Sequence, residues 1–221
     1  SIARTLVSAG PPASGLPVAD LRSLVVVLGD QLDLSAAAFD GFDSSMDAVW
    51  MAEVAHESMH VWSSKPRTAM FLAAMRHFAL DLQAAGHPLH YTRLDADGNR
   101  GSLGAQLQAD MEVLRPARIV MTAPGDWRVL QEIQAVVATS GTPLDIREDR
   151  HFFTSRREFA AHAKGRKSLR MEYFYREMRR RHRALLDAEG EPEGGQWNYD
   201  ADNRKGYPKA GPGLIPPPET F

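Results

Sequence analysis

The chain has 221 residues, 26 Lys and Arg against 28 Asp and Glu, and no Cys. So balanced a charge argues neither for nor against a nucleic-acid partner. The lack of Cys excludes disulfides, Cys-ligated zinc, iron–sulfur ligation and a thiol nucleophile within this chain. No apolar run approaches the length of a membrane span, and residues 1–20 lack the long apolar core of a signal peptide. The composition reads as a soluble, cytoplasmic protein with room for one α/β domain and an additional segment.

In chain order, the first signal is Leu24-Val25-Val26-Val27-Leu28, a strand buried on both faces, running into the turn Gly29-Asp30-Gln31-Leu32. Ligands of open parallel sheets bind beyond the carboxyl ends of the strands, which is where this turn falls. Glycine permits close approach, Asp offers acceptors, and Gln offers donors and acceptors. A plain turn with an Asp cap is the competing reading of these four residues. Residues 33–47 are weakly patterned, with a short helix expected around Ala36–Phe39. Further strands are expected at 48–51, 88–92, 117–121 and 143–146.

Helix-period stripes lie between them. Phe71, Ala74, Met75, Phe78 and Leu82 form one face before Gly86. Leu103, Leu107, Met111 and Leu114 form the second, and Val129, Ile133, Val136 and Val137 the third. Strands alternating with helices of this length specify a five-stranded, doubly wound parallel sheet over residues 22–150. Residues 151–221 differ: helices are expected at 155–162 and 168–187, followed by a Gly- and Pro-rich stretch. That stretch carries Trp197, Tyr199, Tyr207 and Phe221, aromatics that disordered tails seldom hold, so it is expected to pack against a surface outside this chain.

Neither GxGxxG after the first strand nor GxxxxGK[ST] occurs, which removes the dinucleotide fingerprint and the P-loop. No nucleophile elbow is visible. If residues 53–60 are helical, Glu53 and Glu57 share a face beside the Asp30 turn. Lys65 and Arg67 enter the next helix, where Pro66 suits the first turn. The crevice so lined fits a polar, ring-bearing small molecule. A solvated acidic loop is the plainer alternative, and no HxxxH or DxD spacing supports a metal. Gly125-Asp126-Trp127-Arg128 reads as a helix cap with a packed Trp, and Glu148-Asp149-Arg150-His151 as a segment able to close the same crevice. His77 reads as an ordinary helical histidine. Lys164, Arg166, Lys167, Arg170, Arg176, Arg179, Arg180, Arg181 and Arg183 form a basic cluster, with an apolar stripe of Met171, Phe174, Tyr175 and Met178. Phosphate contact, a solvated face and ion pairs all fit that pattern.

Several of these segments together resemble a known family. They are Gly29-Asp30-Gln31-Leu32, Glu53-Val54 with Glu57, Ala74-Met75-Arg76-His77-Phe78, Met171-Glu172-Tyr173-Phe174-Tyr175-Arg176-Glu177-Met178-Arg179, and Gly195-Gln196-Trp197-Asn198-Tyr199 through Lys205. They resemble the photolyase-related proteins of the bacterial iron–sulfur photolyase/cryptochrome group, which includes prokaryotic (6-4) photolyases. The resemblance implies an amino-terminal α/β domain that holds 6,7-dimethyl-8-ribityllumazine as antenna chromophore. It also implies a linker to a helical domain, absent from this chain, that binds FAD, a [4Fe-4S] cluster and damaged DNA. On that basis Asp30 and Gln31 would hydrogen-bond the antenna ring, Glu57 would touch ring or ribityl chain, Phe71 would face the chromophore, and Gly29 would allow close approach. Leu32, Glu53 and Lys65 complete the implied set. Where relatives carry a His-rich stretch, this chain has Trp62-Ser63-Ser64-Lys65-Pro66. A monomer that contacts DNA through the full protein, and at most weakly by itself, is implied. A free-standing nucleotide- or flavin-binding regulatory module is the alternative.

Overall fold

A computed structural model describes residues 21–200, 206–211, 213–214 and 216–217. The amino-terminal stretch, the end of the 195–205 motif and Phe221 lie outside them. Five strands, β1 (Ser23–Val26), β2 (Asp47–Ala52), β3 (Leu89–Thr92), β4 (Arg118–Thr122) and β5 (Leu144–Arg147), form one sheet in the order β3-β2-β1-β4-β5. Every neighbouring pair is parallel. The expected α/β, Rossmann-like doubly wound sheet is the fold observed.

Alternation along the central strand builds two cores. Leu24, Val26 and Leu28 point to one face, with Trp50, Ile119, Met121 and the buried residues of α3 (Leu103–Leu114) and α4 (Trp127–Ser140). Val25 and Val27 point to the other, with Val49, Met51, Val120 and the buried residues of α2 (Lys65–Ala84). A strand with apolar residues on both faces is what a sheet covered by helices on both sides requires. The stripe on α2 is rotated from expectation: Met75, Phe78, Ala79 and Leu82 are buried, whereas Phe71 and Ala74 are exposed. Residues 33–47 contain one short 3₁₀ turn, Ala37–Phe39, pinned by the Arg147 guanidinium on the carbonyls of Ala37 and Asp40, each at 2.8 Å.

One polar network is set into the core edge. The indole N–H of Trp50, which is fully buried, donates to Asp110 at 2.7 Å. His90 and Gln106 reach the same carboxylate at 3.1 and 3.0 Å. Burial alone pushes the Asp110 carboxyl up, but hydrogen bonds from His90, Gln106 and Trp50 outweigh it and hold the pKa below the usual range.

The chain divides into two compact units between Ser155 and Arg156. In the second, α5 (Arg156–Ala163) packs on α6 (Met171–His182) through Phe159 and Phe174, ring centroids 5.0 Å apart. The last helix stops at His182, short of the expected 187, because Arg183 adopts a left-handed conformation at φ 51° and the chain turns into a bridge between Leu186 and Pro192. Only part of the predicted stripe is buried: Phe174 and Met178 are, Met171 and Tyr175 are not. Trp197 lies against the basic helix, with the guanidinium carbons of Arg176, Arg179 and Arg180 at 5.7, 5.1 and 4.5 Å from its ring.

Candidate functional site

A cavity of about 240 Å³ opens beyond the carboxyl ends of β1 and β2. Leu28, Gly29 and Asp30 form one wall, and Ala52, Glu53 and Val54 the next. The short helix α1 (Ala55–His60) contributes Glu57 and Ser58, and the start of α2 contributes Arg67, Phe71, Leu72 and Met75. Pro124, Asp126 and Val129 close it from β4 and α4. Its interior is apolar and its rim carries carboxylates, hydroxyls and one guanidinium, the usual make-up of a small-molecule site.

Gly29 is required by packing. A methyl group there would lie 2.6 Å from Phe71 Cε1 and 2.9 Å from Met75 Sδ. The absent side chain lets α2 come down onto the end of β1 and brings the Phe71 ring, 43% exposed, into the cavity wall. The start of α2 is set by Ser64, whose hydroxyl accepts from the Arg67 N–H, and by Pro66 in the first turn.

Asp30 stands at the rim. Partial burial pushes its carboxyl pKa up, and Glu57, Asp126 and Asp149 push it in the same direction. Glu53 is the opposite case. It precedes α1 rather than belonging to it: Val54 is the extended cap, and the Glu53 N–H donates to the Thr92 carbonyl. Glu53 and Glu57 therefore do not share a helical face. Only 1% exposed, the Glu53 carboxylate accepts two bonds from Arg76 at 2.7 and 2.8 Å, one from Tyr91 Oη at 2.6 Å and one from the Leu94 N–H at 2.9 Å. Burial raises its pKa, and these four bonds more than reverse the effect, so it stays ionised below the usual range. Burial and the same carboxylate drive the Tyr91 hydroxyl pKa up. With its lone pairs filled, Glu53 braces the cavity floor.

Glu57 is held as well. Arg128 donates to both its oxygens, at 2.9 and 2.8 Å, and also reaches Asp126 at 3.3 Å and Glu132 at 3.8 Å. Asp126 caps α4 as expected, accepting from the Arg128 N–H at 2.8 Å, but Trp127 is exposed rather than packed. His56, Glu57 and Glu132 form the single group among the described residues whose candidate metal-binding atoms converge within 4.8 Å. The Arg128 cation already occupies the carboxylates of that group.

Of the residues expected at the site, the cavity gathers Gly29, Asp30, Glu53, Glu57 and Phe71. Gln31 and Leu32 line a neighbouring cavity with Asp149, Arg150 and His151. Lys65 begins α2 without lining either one, and Arg67 reaches the first in its place. His77 is exposed on α2. Sequence reasoning did not assign Arg76 and Arg128, the two cations that hold the glutamates. For Arg128 a cue existed in its i,i+4 spacing to Glu132. The pairing of Arg76 with Glu53, 23 residues away, has no local cue.

Comparison with known proteins decides the family. Residues 25–221 match the family model of deoxyribodipyrimidine photo-lyase-related proteins. The chain belongs to that family. A (6-4) photolyase of Agrobacterium fabrum is 44% identical over 197 residues, covering 89% of this chain and 38% of the relative. This photolyase-related chain thus spans well under half the length of the curated relative it matches. Among its described residues, no helix is long and apolar enough to cross a membrane.

Proposed function

We propose that this domain holds an antenna chromophore of the ribityllumazine class for a photolyase-like flavoprotein that repairs (6-4) photoproducts in DNA or senses blue light. The observation that carries the reading is the cavity beyond β1 and β2, whose Gly29–Phe71–Met75 wall offers apolar surface to a planar ring. Asp30, Ser58, Ser63 and Arg67 at its rim supply acceptors and donors suited to ring carbonyls and ribityl hydroxyls. Such a chromophore, when bound, absorbs light and passes the excitation on; the protein's part is to fix its position and exclude water. Gly29, Asp30, Phe71 and Met75 would do the holding, while Glu53 with Arg76 and Glu57 with Arg128 keep the walls in place.

Light-driven electron transfer from reduced FAD belongs, in this reading, to the portion of the full-length protein outside this chain. The [4Fe-4S] cluster belongs there too, since a chain without Cys supplies no thiolate ligand. The test is reconstitution with 6,7-dimethyl-8-ribityllumazine followed by gel filtration. Near-stoichiometric retention of lumazine absorbance, reduced by Asp30→Ala and Gly29→Val, is expected. Passage without bound lumazine, or displacement of it by FMN or ADP at equal concentration, would favour the general nucleotide- or flavin-binding module instead.

A further inference from the structure

The short helix α1 carries two histidines that the proposed antenna site does not use. Against the expectation from sequence, an HxxxH spacing is present: His56-Glu57-Ser58-Met59-His60. Helical residues four apart lie on one face, and α1 brings the two imidazoles together, ring centroids 6.0 Å apart. Each ring can turn one nitrogen to a shared ion. HExxH on a helix is a pattern from which zinc sites take their first two ligands.

A third ligand comes from α4. One donor atom each of His56, Glu57 and Glu132 lies within 4.8 Å of the others. Arg128 stands among them but divides its bonds unequally. Both Glu57 oxygens are held, at 2.9 and 2.8 Å. Glu132 gives Oε1 to the Gly104 N–H at 2.7 Å, and its Oε2 meets Arg128 only at 3.8 Å, beyond hydrogen-bond length. Glu132 therefore keeps an oxygen with open lone pairs beside His56. Imidazole nitrogens with one carboxylate suit Zn²⁺ and its neighbours, whereas Ca²⁺ and Mg²⁺ take oxygen ligands. In a zinc hydrolase the acid of HExxH acts as general base. Here Arg128 engages both oxygens of Glu57, so the arrangement serves to hold rather than to hydrolyse.

We propose that His56, His60 and Glu132 bind a divalent transition metal of the zinc class, which joins α1 to α4 and steadies the α1 wall of the first cavity. The helix has six residues and none of them is buried, so a tie through its side chains matters to its order. The ion would clamp the same two helices that Arg128 and Glu57 join, through separate ligands.

The test uses the full chain without an affinity tag, stripped with EDTA and titrated with zinc chloride by calorimetry. Saturable binding of one Zn²⁺ per chain is expected. His56→Gln, His60→Gln and Glu132→Gln should each weaken it by roughly tenfold or more, about 1.4 kcal/mol. Glu132→Gln keeps an acceptor for the Gly104 N–H, so its loss is read at the metal rather than in the fold. Amide exchange of residues 55–62 should slow when Zn²⁺ is added to the parent chain, and should not respond in Glu132→Gln. Absent saturation, parental affinity in either histidine variant, or unaltered exchange in α1 would each overturn the assignment. So would losses confined to the histidine variants, which would leave an exposed histidine pair and no clamp. Lumazine retention in the first cavity is read separately, so either proposal can fail without the other.

Discussion

Arg128, on α4, grips the Glu57 carboxylate of α1 with two parallel hydrogen bonds of 2.9 and 2.8 Å. That ion pair ties α1 to α4. The helix has six residues, none buried, and no side-chain cap. Its backbone is tied by one further bond, from the His56 N–H to the Gly101 carbonyl at 3.0 Å. Helices this short do not persist by propensity alone. Since α1 supplies Glu57 and Ser58 to the cavity, the ion pair holds one of its walls.

Arg128→Ala should therefore free α1 without unfolding the domain. Both partners are partly exposed, and pairs of this kind contribute about 0.5–1 kcal/mol. Amide hydrogen exchange is the direct measurement: residues 55–62 should exchange markedly faster in the variant, while β1 and β4 remain protected. Unchanged exchange in α1 would show that something other than Arg128 holds it.

The contact of Gly29 with Phe71 gives a paired prediction. Gly29→Ala places a methyl group 2.6 Å from a ring carbon, so Phe71 and Met75 must move. Because the Phe71 ring is partly exposed and can swing outward, the cost should be near the low end for overpacking, about 1 kcal/mol. Adding Phe71→Ala should recover most of that loss. Urea denaturation of the two single variants and the double variant measures the coupling, and additive effects would contradict the contact.

The two carboxyls at the ends of β1 and β2 should respond oppositely to pH. The folded-state pKa of Glu53 is depressed, so its contribution is fully present above its unfolded value near 4.5 and is lost as pH falls through the lower folded value. Arg76→Ala leaves that carboxylate buried with fewer donors. It should cost about 2–3 kcal/mol at pH 7, less than a wholly buried pair because Arg76 is itself partly exposed, and the difference should shrink below pH 4.5. The folded pKa of Asp30 is raised, so its ionisation opposes folding once pH passes the unfolded value near 3.8. Asp30→Asn should raise the melting temperature at pH 7, with the gain vanishing toward pH 3, while lumazine affinity falls. A lower melting temperature at pH 7 would refute the argument for Asp30.

Those two carboxyls also show what a sequence can reveal. The sheet was legible because Leu24–Leu28 is apolar on both faces and the intervening stripes keep helical period, both of them local patterns. Asp30 was legible as a group at the end of a strand. The bracing of Glu53 was not, since Arg76, Tyr91 and Leu94 reach it from separate elements and nothing near residue 53 announces them. Gln31 sits at the strand end that its place in the turn predicts, but two residues of a turn can face opposite sides of it, and sequence does not say which. The exposure of Trp62, at 91%, likewise had no local signal.

The basic helix α6 yields the last prediction. Its count of cations overstates its reach toward a phosphate backbone. Arg179 is buried and donates to the carbonyls of Ala184 and Leu185. Arg176 pairs with Glu172, and Arg181 with Glu158 at 2.8 Å. Arg180 lies over Trp197. Duplex DNA titrated with this chain should show only non-specific binding, with Kd about 10⁻⁴–10⁻⁶ M at physiological salt and a steep loss of affinity as salt rises. Trp197→Ala should free Arg180 and strengthen low-salt binding slightly while lowering the stability of the second unit. A (6-4) lesion should make no difference, because recognising one requires a pocket for the extruded base. Discrimination of the lesion by tenfold or more, about 1.4 kcal/mol, would show that this chain reads damage by itself.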